Sequence, residues 1–460
     1  MTDSSSPGKD LHLDWSPGSG REGLTAALRS AIQGGRLRHG EALPSTRALA
    51  RDLGVARGTV TRVYEQLVAE GYLRSSQGAP TRVATTGERP SSPPRRSGTD
   101  PPARWSLLPG RPDLSAFPRS LWASATRRVL RRAPASALGY VEEHGQYELR
   151  TALARYLARS RGVLADPDRI VVCAGHSHAI WLLATVLRER GEPELAFEDP
   201  SLPIFRTVAA NAGAVVTGVG VDGAGVRVSE LDSPAVVVTP AHQYPLGVTL
   251  APRRRAELAR WATTAGGLVI EDDYDGEFRL DRQPVGAVQA LAPERIVYAG
   301  TASKTLAPGL RIAWLVLPRA LVEPVRAAMT ATGWRPSALD QLILADLLES
   351  GGYDQHVRRL RASYRARRDR LLGAVPGYLR PTGIPAGLHL VLMLPEGGPT
   401  EERVRAAAGR HELALETLGW NWMRTGDHPQ GLILGYAAPA EHAFGPTLDA
   451  LLGTLAEVYG

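Results

Sequence analysis

The sequence predicts a chain in two parts: a small, mainly helical head, and a large α/β body with a mostly parallel sheet and a smaller C-terminal subdomain. Three patterns predict this. Residues 21–83 combine helical apolar spacing with close turn signals, and residues 85–104 are polar and proline-rich. From 169 to 317, apolar strand-like runs alternate with helical stretches. At 460 residues and 43% apolar content, the chain exceeds one typical domain and can bury sizeable cores. Residues 1–10 read as a polar, disordered tail.

The head is assigned to residues 11–84. Leu24, Leu28 and Ile32 mark one apolar helix face. Ser45 is placed as the N-cap of a helix running to Leu53, with Gly54 as its stop. A second helix opens at Arg57 and sets Val60, Val63, Tyr64 and Leu67 on one side. Two helices joined by a short turn make a helix-turn-helix, whose second member enters the major groove of DNA. Gly71-Tyr72-Leu73-Arg74 and Thr81-Arg82-Val83 flank Gln77-Gly78-Ala79-Pro80 and predict a β-hairpin wing. Ten Arg face five Asp and Glu between 21 and 83, an excess that suits a polyanion. A helical bundle with an ordinary solvated Arg face is the alternative.

Residues 85–104 lack an apolar face and predict an extended linker. The body takes 105–460, with a helical tail from about 338 and later strands at 387–394 and 431–436 forming its smaller subdomain. Within it, Gly267-Leu268-Val269-Ile270-Glu271-Asp272-Asp273-Tyr274 reads as a buried strand ending in carboxylates and a phenol. Open α/β sheets hold ligands at such strand ends.

Lysine is almost absent. Of 54 Lys and Arg, only Lys9 and Lys304 are lysine. Lys9 falls in the polar tail, whereas Lys304 sits in Gly300-Thr301-Ala302-Ser303-Lys304-Thr305-Leu306-Ala307-Pro308-Gly309-Leu310-Arg311. A lysine amine can lose its proton and condense with an aldehyde, which a guanidinium cannot do. A pyridoxal 5'-phosphate (PLP) site needs that amine, a carboxylate for the pyridinium nitrogen, and hydroxyl and cationic groups for phosphate and phenolate. Asp272, Tyr274, Ser303, Lys304 and Arg311 supply the set, with Lys304 lying 304 − 272 = 32 positions after Asp272.

This order resembles the fold-type I PLP-dependent aminotransferases, in which a strand-end Asp and a nearby Tyr precede Ser-Lys and Pro-Gly-Leu-Arg. The head resembles the GntR-family winged helix-turn-helix through Gly-Glu-x-Leu-Pro-Ser-Thr-Arg at 40–47, Leu-Ala-x-x-Leu-Gly-Val at 49–55 and Glu-Gly-Tyr-Leu at 70–73. Joined by a linker, the two parts resemble the MocR-type regulators, and Thr239-Pro240-Ala241-His242-Gln243-Tyr244-Pro245-Leu246-Gly247 and Ala386-Gly387-Leu388-His389 extend the match. The resemblance implies that Lys304 is the aldimine lysine, Asp272 the partner of the pyridine nitrogen and Tyr274 the donor to the phenolic oxygen. It implies that Ser303 and Arg311 bind phosphate with the helix-opening loop Gly175, His176 and Ser177, and that His242 and Gln243 line the pocket. It further implies that Arg47, Arg57, Thr59 and Arg62 face operator DNA, and that the protein forms a head-to-tail homodimer.

Several positions depart from that pattern. Ala56 stands where the family usually has a capping Ser, and His176 and His178 replace a Ser-Gln-Gln run. A hydrogen-bonded lining is the better reading of the two histidines, and no metal is expected. Trp422 stands at the carboxylate-gripping Arg of amino-acid-binding relatives, leaving Arg424 as the effector candidate if the loop shifts. Leu202 replaces an aromatic hydroxyl.

Two functions therefore compete. One is a PLP-dependent transcription regulator whose body senses the cofactor or a small effector, with the branch that controls PLP synthesis as the expected setting. The other is an active aminotransferase with an appended DNA-binding head, or a regulator that senses an amino acid. Composition narrows the setting. The single cysteine, Cys173, excludes an internal disulfide framework, and no apolar run reaches membrane length, so a cytoplasmic, nucleoid-associated protein is expected. The formal charge of +7 agrees with an anionic partner.

Overall fold

The structure is a computed structural model that describes residues 13–76, 79–84, 103–140, 142–281 and 285–460. The tail with Lys9, the wing residues Gln77 and Gly78 and nearly all of the expected linker lie outside the described residues. The chain divides into two compact units, Met1–Asp100 and Pro101–Gly460.

In the first unit, helices Gly20–Gln33, Thr46–Leu53 and Arg57–Ala69 pack around Leu24, Leu28, Leu49, Val63 and Leu67. The local signals act as their chemistry dictates. The Ser45 hydroxyl accepts the Ala48 N–H at 3.1 Å, and Gly54 ends its helix in the left-handed region at φ 68°. Ala56, by contrast, caps the following helix with no side-chain hydrogen bond. Tyr64 donates to the Pro44 carbonyl at 3.0 Å and so ties the second helix of the motif to the turn ahead of the first. Leu73–Arg74 and Arg82–Val83 pair antiparallel, Leu73 opposite Val83, and form the wing beside an isolated bridge from Ala42 to Arg82.

The second unit is built on an eight-stranded sheet. Its order is Ile170–Cys173, Ala313–Val316, Ile296–Thr301, Leu268–Asp273, Ala235–Val238, Glu194–Asp199, Val215–Asp222 and Gly225–Val226. The central strands are parallel, while Ala313–Val316 runs antiparallel to both neighbours and Gly225–Val226 closes a hairpin at the far edge. Alternation sends Val172, Tyr298 and Trp314 to one core and Val171, Ala299 and Leu315 to the other. Helices Tyr147–Arg161 and Ala338–Glu349 cover the first face, and His176–Glu189 and Arg319–Thr332 the second. Buried on both sides, the central strands have no need of polar alternation, which is why they read as continuous apolar runs.

A second, four-stranded antiparallel sheet orders Arg380–Thr382, Leu390–Met393, Gly431–Leu434 and Glu416–Thr417, with its own core around Tyr364, Leu392, Leu434 and Leu451. Four central parallel strands of the large sheet end at Asp199, Val238, Asp273 and Thr301, so the groups just before or beyond those ends converge on one edge of that sheet. Among the described residues, no helix is long and apolar enough to cross a membrane.

Candidate cofactor pocket and nucleic-acid interface

At that edge the structure forms a cavity of about 260 Å³, lined by Asp272, Tyr274, Ser303, Lys304, Arg311, His176 and Ser177 among others. Asp272 and Lys304 owe their proximity to register, because the parallel strands Leu268–Asp273 and Ile296–Thr301 put Asp272 level with Ala299 and the chain turns toward the cavity after Thr301. Lys304 Nζ donates to the carbonyl of Gly110 at 2.6 Å. Burial lowers its pKa below the usual lysine range, more than Asp272 and Asp275 raise it. Burial likewise holds Asp272 well above the usual carboxylate range, with Lys304 pulling the other way. A lysine whose pKa is lowered gives up its proton more readily, as an amine must before it can act as a nucleophile.

His176 opens the helix His176–Glu189 behind Gly175. Its Nε2 lies 3.2 Å from Asp272 Oδ2, and burial, then Lys304, lowers its pKa to about 3. Among the described residues, Asp272 Oδ1 and His176 Nδ1 are buried without a partner. Gly175 adopts φ 88°, and a Cβ there would meet the Arg311 Cζ at 2.7 Å. The absence of a side chain therefore lets the guanidinium lie against the start of the helix, where backbone N–H groups and the helix dipole favour an anion. Arg311 itself sits in the left-handed region at φ 53°, and its Nη2 donates to the Ala174 carbonyl at 2.7 Å. Ser303 accepts from Thr301 Oγ1 at 2.9 Å.

These features fit a pyridine aldehyde phosphate. A carboxylate oxygen unpartnered among the described residues, a helix start cleared for an anion and a half-buried amine are the set that such a group requires.

Other residues named from the sequence lie elsewhere. His242 and Gln243 are buried but do not line the cavity. Gln243 Nε2 donates to Glu198 Oε2 and to the carbonyls of Pro200 and Tyr244, and its Oε1 accepts the Leu246 N–H. The Tyr274 hydroxyl donates to the His242 carbonyl at 3.0 Å, and His242 Nδ1 lies 2.8 Å from Asp275 Oδ2. The two residues thus support the lining from behind. With His389, His242 and Asp275 offer ligand atoms within 4.8 Å of one another. Within this group His242 Nδ1 and Asp275 Oδ2 bond each other, and His389 Nε2 lies 3.1 Å from the Pro245 carbonyl oxygen. His178 turns away from the cavity, accepting the Ala174 N–H at 3.1 Å and packing edge-on to Trp334.

Arg424 does not reach the cavity. Its Nη2 donates to the Gly218 carbonyl at 2.8 Å, and its side chain is 59% exposed. Trp422 stacks on His428 with ring centroids 4.3 Å apart and is likewise not in the lining. Glu198, Tyr244, Glu416 and Gly110 do line the cavity and were not singled out from the sequence. Tyr244 lies within the 239–247 motif, whereas Glu416, on a two-residue edge strand, leaves no local signal.

In the head, Arg47, Arg57 and Arg62 are exposed and Thr59 is half-buried. Arg57 and Thr59 lie in the first turn of the second helix of the motif, with Arg62 further along it. Among the described residues, none of the three arginines is paired with a carboxylate, so all are available to phosphate or base.

Fold and site together define a DNA-binding helix-turn-helix carried by a PLP-type aminotransferase body. Residues 21–83 match the bacterial regulatory proteins of the gntR family, and residues 114–394 match aminotransferase class I and II. The chain belongs to the MocR-type regulators, in which these two modules are fused. The cofactor of the aminotransferase module is PLP. The HTH-type pyridoxine biosynthesis transcriptional regulator PdxR of Corynebacterium glutamicum is 33% identical over 446 residues, 95% of this chain and 94% of that protein. The probable rhizopine catabolism regulatory protein MocR of Rhizobium meliloti is 33% identical over 445 residues, covering 90% and 89%. Among solved structures, an archaeal alanine:glyoxylate aminotransferase has a TM-score of 0.70 at 24% identity, covering 77% of this chain and 91% of that one. That likeness concerns the fold.

Proposed function

We propose that the protein is a transcription regulator that binds PLP covalently through Lys304 and couples cofactor occupancy to operator binding. In this reading the winged head spans 11–84, the linker 85–104 and the body 105–460. Asp272 faces the pyridine nitrogen, Tyr274 the phenolic oxygen, and Ser303, Arg311 and the Gly175–Ser177 loop the phosphate. His242 and Gln243 position Tyr274 and Glu198. Arg47, Arg57, Thr59 and Arg62 meet DNA. When bound, the cofactor supplies an electrophilic carbon and an electron sink, and the chain supplies the amine, the counter-charges and a site shielded from water.

One observation carries the choice of regulator over enzyme. Among the described residues, no guanidinium in the cavity is left to grip a substrate carboxylate, since Arg311 lies at the helix start and Arg424 is turned to Gly218. Burying a carboxylate without such a partner is costly. The cofactor itself is then the signal, as the name of the PdxR relative suggests for that protein, and control of vitamin B6 synthesis is the proposed setting. A head-to-tail homodimer in the cytoplasm, bound to a two-part operator, completes the reading.

Titrating operator DNA with cofactor-free and PLP-loaded protein tests the coupling. The two affinities should differ, and operator should shift PLP affinity by the same factor. Equal affinities, or sustained transamination of an amino acid and a keto acid, would defeat the proposal.

A further inference from the structure

The cavity has more acid than the cofactor can use. With Asp272, Lys304 and Arg311 set aside for PLP, no cation remains among the described lining residues except His176, which burial keeps neutral near pH 7. Two carboxylates do remain, Glu198 and Glu416.

Glu198 is 4% exposed, and its bonds from the Thr239 N–H, the Thr239 hydroxyl and Gln243 Nε2 all fall on Oε2. Glu416 takes the Tyr244 hydroxyl and Asn421 Nδ2, each at 3.1 Å, both on Oε1. Among the described residues, each carboxylate thus keeps one oxygen without a donor. Tyr244 connects the pair, since its hydroxyl reaches Glu416 while its N–H donates to Thr239 Oγ1, itself bonded to Glu198. Ser201 Oγ, in the same lining, is also buried without a partner among the described residues.

Resting on the reading of Lys304 as the cofactor lysine, we propose that the pocket's second ligand is a carboxylate-free amine with a second cationic end, a diamine, and that Glu416 takes that end. Charge complementarity carries the argument. A free amino acid would bring its carboxylate against Glu198 and Glu416 with no guanidinium to offset it, whereas an ammonium satisfies an oxygen that has no donor. The raised Glu198 pKa, about 7 through burial and with no cation beside it, agrees with a carboxylate short of a counter-charge. The apolar flank of Leu202 and Phe205 suits the methylene chain between two amines.

Calorimetry on the PLP-loaded full chain tests this with putrescine and γ-aminobutyrate, which share a carbon count and an amine but differ at the far end. Putrescine should bind at least about tenfold more tightly, the scale of one charged hydrogen bond, and Glu416→Gln should remove most of that preference. Equal binding, a preference for γ-aminobutyrate, no binding of either, or a preference that survives Glu416→Gln would overturn the proposal. Loading is read separately from the visible band of wild-type protein. If no band forms, the cofactor reading falls and takes this one with it; if the band forms and the preference is missing, only the diamine is rejected.

Discussion

Gly175 and Arg311 meet so closely that a single methyl group on the first would sit 2.7 Å from the guanidinium carbon of the second. Gly175 also holds φ 88° with ψ 169°, a region open essentially to glycine alone. Gly175→Ala should therefore cost stability by about 1–3 kcal/mol through backbone strain. It should also push Arg311 from the helix start and weaken PLP more than pyridoxal, which lacks the phosphate. Thermal melts and parallel titrations with the two vitamers check both parts, and equal losses for the two would remove Arg311 from the phosphate site.

Lys304→Ala should abolish the visible absorbance of PLP-loaded protein while leaving the far-ultraviolet circular dichroism intact. Borohydride reduction followed by peptide mapping identifies the labelled residue in wild type. Label on any other amine would contradict the assignment. Asp272→Ala should keep the lysine but weaken cofactor affinity, because Asp272 Oδ1 is a buried acid oxygen with no partner among the described residues.

In the head, Arg57→Ala and Arg62→Ala should each lower operator affinity by about 1–3 kcal/mol where the side chain reads a base, and chiefly flatten the salt dependence where it meets phosphate. Ala56→Ser supplies the missing cap and should stabilise the head by about 0.5–2 kcal/mol. Operator affinity unchanged in both arginine variants would exclude this helix as the reader.

His178 gives a pH dependence with a definite sign. Burial, then Arg311, lowers its pKa to about 4, and its Nδ1 must stay unprotonated to accept the Ala174 N–H. The folded state disfavours the proton, so this contribution to stability is complete above about pH 6.5 and is lost as pH falls toward 4. Glu198, Glu271 and Glu277, each pushed up to about 7 by burial, act in the opposite sense and lose stability as pH rises toward that value. Comparing wild type with His178→Gln isolates the histidine. The variant should lose less stability between about pH 8 and pH 5, by about 1–2 kcal/mol. Parallel denaturation curves at the two pH values would show that the ring carries no such penalty.

The sequence exposed the parts of the site that are local in the chain. Asp272 ends one strand with Tyr274 just beyond it, and Ser303, Lys304 and Arg311 share one short loop, so each group was visible in the local sequence while strand register joined the two. What it hid came from contacts between distant segments. Gly110 reaches Lys304 across 194 positions, and Tyr244 reaches Glu416 across 172. His242 and Gln243 belonged to a visible motif, yet sequence could not say that their side chains point behind the cavity wall rather than into it. The same holds for Arg424, whose partner Gly218 lies on the strand Val215–Asp222. In the fold, the apolar runs announced the parallel sheet, but the reversed strand Ala313–Val316 looks like its neighbours because direction leaves no mark on a strand buried on both faces.

The carbonyl on which Lys304 rests belongs to Gly110, six positions beyond Arg104. That stretch is stitched into the smaller sheet's surroundings through Leu107, which donates to the Ala414 carbonyl at 2.8 Å and accepts the Gly435 N–H at 2.7 Å. Any chemistry that uses up the lysine's protons withdraws the donor from Gly110, and that half-buried carbonyl must then find another donor, from the chain or from water. This early turn of the body is in that sense a fuse wired to one nitrogen.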